Sequence, residues 1–301
     1  MLPVEVAILR TILYADVFSF PLTTDEIHRY LIADITIAKA DIAQALRHSE
    51  YLHRHLCSIE NYYCLRDRED IIATRKEREA ISQQLWESAF RYGRVLSYIP
   101  FVEMVALTGA LAVRNPSSID DDFDYLLITR PGRVWLARAF AVLLVRVVRL
   151  FGRELCPNYV LASDGLAQSR QDMYMAHEVA QMRPIYGAKL YQAMFEENPW
   201  TADYLPNALP YVTEEDKPRR LRSLLEWICS GRIGDMLEHR EYQRKLRKFQ
   251  PKIQQKNSSA EITENSVKGH FEDHGMPVLQ RYEELLAEYG LLDTPEALAG
   301  D

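Results

Sequence analysis

The chain is 301 residues long, 48% hydrophobic and 26% charged, with a formal net charge of -7. A chain of this length can bury one good core plus smaller ones, so two or three domains are expected, and its acidic balance excludes a whole-surface polyanion binder while leaving a local basic patch open. Its four cysteines, Cys57, Cys64, Cys156 and Cys229, form no Cys-x-x-Cys pair, which argues against a zinc or disulfide framework and predicts reduced thiols in a cytoplasmic protein.

The first stretch, MLPVEVAILRTILYADVF, lacks the basic leader and small-residue cleavage site of a signal peptide and instead carries the apolar period of a helix from Val4 to Asp16. A second helix is predicted after Phe20-Pro21-Leu22. Thr23 or Thr24 can N-cap it, Glu26 lies three residues after Thr23 as a capping box requires, and Ile27, Tyr30 and Leu31 form its buried face. A third helix is predicted from Ile37 to Ser49, and Tyr51–Cys57 and Tyr62–Leu65 then flank Ser58–Asn61 as a β-hairpin. Three helices and a hairpin within residues 1–66 predict a winged-helix domain. Such a module often lays its third helix in a DNA major groove. Here that helix offers only Lys39, Arg47 and His48, with Asp41 among them, and the hairpin offers Glu60 and Arg66. That is thin for phosphate neutralisation, so a protein-docking or structural role is expected ahead of specific DNA contact.

Residues 67–99 read as a connecting helix from Arg68 to Ile99, with Arg75, Lys76 and Arg78 on a solvated face. Residues 100–165 alternate strand, short helix, strand, long helix and strand, the pattern of an α/β core. The most hydrophobic segment, Val134–Phe151, is interrupted by Arg138, Arg146 and Arg149, which would be costly at a bilayer centre. It is therefore predicted to pack on the sheet, braced by Trp135, and no membrane association is expected.

Residues 166–301 read as helical and polar. Glu178, Gln181, Arg183, Tyr186 and Lys189 gather around Pro184–Gly187, predicted as a break between two helices that faces a cleft. Asn198–Trp200 and Tyr204–Asn207 read as ordered turns, and Gln254–Asn265 as a mobile polar loop. From Lys217 to Lys256 basic residues prevail, offering the one surface for RNA or DNA, although a solubilising helix face explains them as simply. Arg232 and His239 have the loose spacing of an RNase motif that also arises by chance. His270 and His274 have metal-ligand spacing, but Gly269 and Gly275 flank them and favour capping or surface roles.

The chemistry concentrates in TGALAVRNPSSIDDDFDYLLIT, Thr108–Thr129. On a strand, residues i and i+2 share a face, so Asp122 and Asp124 present two carboxylates side by side while Phe123 turns to the core. Paired carboxylates suit a hard divalent cation. Gly109 follows the apolar strand FVEMVAL and opens a short helical segment, where free N–H groups can hold a phosphate. The competing reading of Ile119–Asp122 is a solvated acidic turn.

Gly109, a gap of about ten residues, and Asp122-x-Asp124 ahead of an apolar strand resemble the signature of the nucleotidyltransferase superfamily built on the DNA polymerase β fold. Ala110 departs from it, keeping the N–H of the family's Gly or Ser but no hydroxyl. The runs Pro131–Ser163 and Ala176–Ala208 resemble a bacterial subgroup of that superfamily with an N-terminal helical domain, so the likeness covers most of the chain. It implies an α/β (α+β) fold: a winged helix at 1–66, a connecting helix at 67–99, a polymerase-β-like core at 100–165, and a helical C-terminal domain at 166–301 closing over the cleft.

The resemblance also implies Mg²⁺- or Mn²⁺-dependent transfer of a nucleoside monophosphate from an NTP to a hydroxyl on a small molecule, a protein side chain or an RNA end. Asp122 and Asp124 would hold the metal, and Gly109 and Ala110 would offer backbone donors to the phosphates. Arg133 or Arg138, with Arg130, would offset developing charge, although Arg138 serves equally well as a structural ion pair. The family's third carboxylate comes from a later strand, where Asn158 stands here. An amide can ligate a metal but cannot act as a base. Glu154 and Asp164 are the candidate substitutes. Three outcomes stay open: an active enzyme, a non-catalytic nucleotide sensor, or a toxin-like enzyme modifying tRNA through the basic Lys217–Lys256 stretch.

Overall fold

The N-terminal apolar period folds as α1 (Pro3–Asp16), with Pro3 in the first turn, where its missing N–H leaves nothing unpaired. After β1 (Leu22–Thr23), α2 (Thr24–Arg29) is closed by the expected capping box: Thr23 Oγ1 accepts from the Glu26 N–H at 3.3 Å, and Glu26 Oε2 accepts from the Thr23 N–H at 2.9 Å. Then come α3 (Lys39–His48), α4 (Glu50–His55), β2 (Leu56–Ile59) and β3 (Tyr62–Leu65). The hairpin is shorter than predicted. Ser49 Oγ accepts from the Leu52 N–H at 3.1 Å, and this cap turns Tyr51–His55 into a helix that buries Leu52. The three strands form a small antiparallel sheet in the order β1-β3-β2.

The computed structural model describes residues 2–213, 220–253, 262–268 and 273–292. Beyond the hairpin run α5 (Ile71–Leu96), β4 (Val102–Leu107), α6 (Gly109–Ala112), β5 (Phe123–Thr129), α7 (Val134–Arg149) and β6 (Leu155–Ala162), in the predicted alternation. They are followed by α8 (Met173–Gln181), β7 (Arg183–Tyr186), α9 (Ala188–Glu196), α10 (Thr201–Tyr204), α11 (Arg220–Ile228), α12 (Gly231–Ile253), β8 (Ser266–Lys268) and α13 (Gly275–Glu288). The fold is α+β with two sheets. The larger sheet has the order β7-β4-β5-β6-β8, with only β5 and β6 parallel, joined by α7. Among the described residues no helix is long and apolar enough to cross a membrane.

Several expectations change here. Pro184–Gly187 does separate two helices, α8 and α9, but the break is more than a turn: Arg183–Tyr186 is an edge strand pairing antiparallel with β4, a place where proline is tolerated. Of the predicted mobile loop, residues 254–261 lie outside the described residues, while Ile262 bridges Val267 at the start of β8. Arg75 does not face solvent. It is 3% exposed, pairs with Glu26 at 2.8 Å and Glu79 at 2.7 Å, and lies 3.7 Å over the Phe20 ring, tying α5 to the N-terminal helices.

Strand alternation divides the larger sheet into two faces. Phe123, Tyr125 and Leu127 pack against α5 and α7, with Trp135 sealed beneath α12 and donating to Thr263 O at 3.0 Å. Leu126 and Ile128 point the other way, toward Val179 of α8 and Tyr191 and Met194 of α9. Helix α8 serves two cores at once, because Ala176 and Ala180 join Ile8, Leu13 and Leu31 of the N-terminal helices. The turn at Asn207 reinforces that junction, its amide donating to His28 O and Ile37 O at 2.9 Å.

Gly187 sets the edge strand's exit. Its φ is +86°, and a Cβ there would stand 2.5 Å from Glu103 O. Gly187→Ala is therefore expected to destabilise the protein by roughly 1–3 kcal/mol in urea unfolding; an unchanged midpoint would show that β7 is dispensable to the sheet.

Candidate metal and phosphate site

Asp124, the second residue of β5, points with Leu126 and Ile128 to the α8 face, and Asp122 lies two residues before it. Asp122, Asp124 and Cys156 each offer one ligand atom, all within 4.8 Å of one another. A register shift between β5 and β6 brings Asn158 in as well, its Nδ2 donating to Asp124 Oδ1 at 3.0 Å. The neighbouring Asp120 and Asp121 belong to the turn, where Asp121 accepts from the Ser117 N–H at 2.6 Å. The solvated-turn reading thus describes Asp120 and Asp121, and the face-sharing reading describes Asp122 and Asp124.

Gly109 makes this cluster possible. With φ at +67°, it lies so near Asp124 that a Cβ would overlap the Oδ2 atom. Beside them opens a cavity of about 290 Å³, into which Thr108, Gly109, Asp124, Asn158, Arg170 and Glu178 face. Two of its donors, Thr108 Oγ1 and Arg170 Nη2, are buried without a hydrogen-bond partner. Other atoms of Arg170 are held by Asp172 and, at 2.8 Å, Asp273. Unsatisfied donors of this kind call for an oxygen, from water or from a ligand.

The electrostatics follow from packing. Burial, then Asp122 and Glu178, push the Asp124 carboxyl up to about 7, against hydrogen bonds from Cys156 and Asn158. Burial, then the two aspartates, push the Cys156 thiol up to about 12, so without a cation it is a neutral donor to the carboxylates. Burial also raises Glu178, opposed by Lys268, Tyr174, His274 and Arg170.

No known family, curated protein or solved structure matches the chain. The site must be read from its own residues.

The structure brings Gly109, Asp122, Asp124 and Asn158 together and places Ala110 on the wall of an adjoining cavity. It separates Arg133 and Arg138 from them. Arg133 is the N-cap of α7 and Arg138 lies within that helix, across the sheet: Arg133 pairs with Asp235 at 2.7 Å, and Arg138 lies 6.0 Å over the Phe249 ring with its pKa lowered by burial. Arg130 pairs with Glu226 at 3.2 Å. Helix α7 begins beyond the far end of β5 and packs on the sheet face opposite Asp124, so its first turn starts away from the carboxylates. The candidate substitutes for the third acid do not join the cluster, which among the described residues groups Asp122 and Asp124 with Cys156, and Glu154 pairs with Arg149. Glu178 takes the place facing Asp124.

Thr108, Arg170 and Lys268 went unseen in the sequence because no local pattern marks them. Their positions depend on which strands pair. His270 lies outside the described residues, and His274 occupies the N-cap position of α13. Lys217 and Arg219 also lie outside them. In the rest of that basic stretch Arg240, Arg247 and Lys248 are exposed, while Arg244 pairs with Glu241 at 2.7 Å.

Asp124 gives a pH signature. Its folded pKa exceeds its unfolded one, so its contribution is fully present below the unfolded value and is lost as pH rises through 7. In chelator-treated protein the melting temperature is expected to fall between about pH 5 and about pH 8. Asp124→Asn should flatten that slope and melt about 2 °C or more above wild type at the alkaline end; an identical slope in the variant would remove Asp124 as its source.

Proposed function

We propose that the protein is a divalent-cation-dependent nucleotidyltransferase that moves a nucleoside monophosphate from an NTP to a hydroxyl acceptor. In this reading the larger sheet is a polymerase-β-like core and the N-terminal unit a winged-helix-like module, in a cytoplasmic protein. The observation that carries it is the pairing of two neighbouring carboxylates, Asp124 on β5 and Asp122 just before it, with a cavity holding unsatisfied donors, Thr108 Oγ1 and Arg170 Nη2. Carboxylates alone would repel a triphosphate, and donors alone would hold any anion. Together they suit a metal-bound phosphate.

The donor set fits the cation. Asp122 and Asp124 supply hard oxygens, and a flipped Asn158 amide could supply a third beside the one sulfur of Cys156. A bound Mg²⁺ or Mn²⁺ would neutralise the triphosphate as a Lewis acid. In the transfer, the acceptor oxygen bonds to the α-phosphorus, the bond from that phosphorus to its bridging oxygen breaks, and pyrophosphate leaves with the electron pair. The hydroxyl proton goes to Glu178, whose buried carboxylate is a stronger base than one in water. Arg170 and Lys268, in place of Arg133 and Arg138, face the cavity as phosphate-neutralising cations.

Asn158 supports the rival reading of a non-catalytic nucleotide sensor, since an amide beside Asp124 holds the carboxylate without sharing its work as a base. Calorimetry with ATP, GTP, CTP and UTP is expected to show binding that requires Mg²⁺ and weakens roughly tenfold or more in Asp122→Asn. Asp122 is exposed, so the variant should melt as wild type does. Equal affinity in EDTA would sink the metal-site assignment. A wild-type protein that binds NTP but transfers label from none of the four α-labelled nucleotides to any component of a cell extract would be the sensor.

A further inference from the structure

A second cavity, of about 570 Å³, opens between the N-terminal helices and α8 and shares Gly109, Tyr174 and Glu178 with the Asp124 cavity. Its size lies within the range of small-molecule sites, roughly 300–1,000 Å³. Helices α1 and α2 supply one wall, so the N-terminal unit encloses a ligand space.

The wall is aromatic and carries both signs of charge: Glu26 and Glu79 are paired with Arg75 and Asp25 with Lys39, which leaves Glu178 as the acid facing Arg29, Arg114 and Arg183. The guanidinium carbons of Arg29 and Arg183 lie 3.7 and 4.0 Å from the Tyr211 ring centroid. Two planar cations that close cannot share one face, so Tyr211 is held between them. Arg29 donates to Ala180 O at 3.2 Å and Leu209 O at 2.8 Å, and Arg183 Nε to Ala112 O at 3.0 Å. Neither pairs with a carboxylate among the described residues, and the Arg183 Nη groups make no other hydrogen bond there. At the rim Arg114 is exposed and meets no carboxylate among the described residues, its guanidinium lying 5.2 Å over the Trp86 ring, on a backbone strained to φ +59°.

Deeper in, Tyr14 is 3% exposed and its hydroxyl has no hydrogen-bond partner, while its ring stacks 4.0 Å from that of His177. Arg75 Nη1 is likewise buried without a partner. A flat apolar slot with unsatisfied polar groups inside, and at its edge guanidinium groups that stack on rings but meet no carboxylate among the described residues, is complementary to a ring with an anionic substituent.

We propose that this cavity binds a small aromatic anion, a planar ring bearing a carboxylate or a phosphate, and that this molecule is the hydroxyl acceptor. The donors suited to a triphosphate lie in the other cavity, and Glu178 stands on the wall common to both. The acceptor role rests on the nucleotidyl-transfer reading; the binding itself does not. It makes the acceptor a small molecule, because a macromolecular end would need an open groove.

Ligand-observed NMR titrations with phenyl phosphate, 4-hydroxyphenylacetate and the neutral 4-hydroxyphenethyl alcohol test it. At least one anion is expected to bind, roughly tenfold or more tighter than the alcohol, and the stronger of the two identifies the anionic group. Arg183→Gln should weaken that anion roughly tenfold. If this variant melts early, the exposed Arg114→Gln provides the same comparison in a folded protein. Val113→Trp, which fills the slot, should abolish binding, and Asp122→Asn should leave it unchanged even if nucleotide binding is lost. No binding by either anion, equal binding of the alcohol, or full binding in Val113→Trp would overturn the proposal. Binding that survives while NTP binding proves metal-independent would remove the acceptor role alone.

Discussion

The architecture depends on the double burial of α8. A nine-residue helix that puts Ala176 and Ala180 into the N-terminal core and Val179 against the larger sheet leaves little surface for anything else. The small alanines let the N-terminal helices approach closely, and the larger side chains on the other face fill the sheet's hollow. The residues left between these faces, Tyr174, His177 and Glu178, project where the two cores do not meet. Both cavities open there. The ligand spaces are therefore a consequence of how two cores share one helix.

The second constraint is electrostatic. Asp124 is packed beside Gly109, faces Glu178, and shares its surroundings with Asp122, so every close acidic neighbour opposes its ionisation. Only the amide of Asn158 and the thiol of Cys156 favour the charged form. A protein that builds such a cluster on rigid strands holds it in a state that a cation would relieve, because neutralising three acids together offsets repulsion at every pair. Cations on the same face, Arg170 and Lys268, favour the charged form of Glu178 but are also engaged with Asp273 and the Tyr159 ring, and neither is among the groups that lower Asp124.

The legible parts of the site and the illegible ones differ in the range of the interaction behind them. Thr23 and Glu26 announced their capping box because a helix start is decided within four residues. Asp122 and Asp124 announced a shared face because strand alternation is equally local. Arg133 and Arg138 were misplaced because they follow β5 in sequence, whereas α7 leaves from the strand's opposite end. Glu178 was visible as a residue of a cleft but not as the partner of Asp124, for that depends on how α8 sits on the sheet.

By itself the sequence determined the local elements: the capped N-terminal helices, the strand, helix, strand alternation, the glycine ahead of the paired aspartates and the amide at position 158. Each follows from side-chain period, backbone conformation or capping chemistry over a few residues. The tertiary structure alone decided that Arg183–Tyr186 and Ser266–Lys268 complete the sheet, that Arg170, Glu178 and Lys268 face the carboxylates, and that Arg29 and Arg183 close on Tyr211 from both sides. Those outcomes join residues far apart in the chain, through strand pairing and core packing that no local pattern encodes.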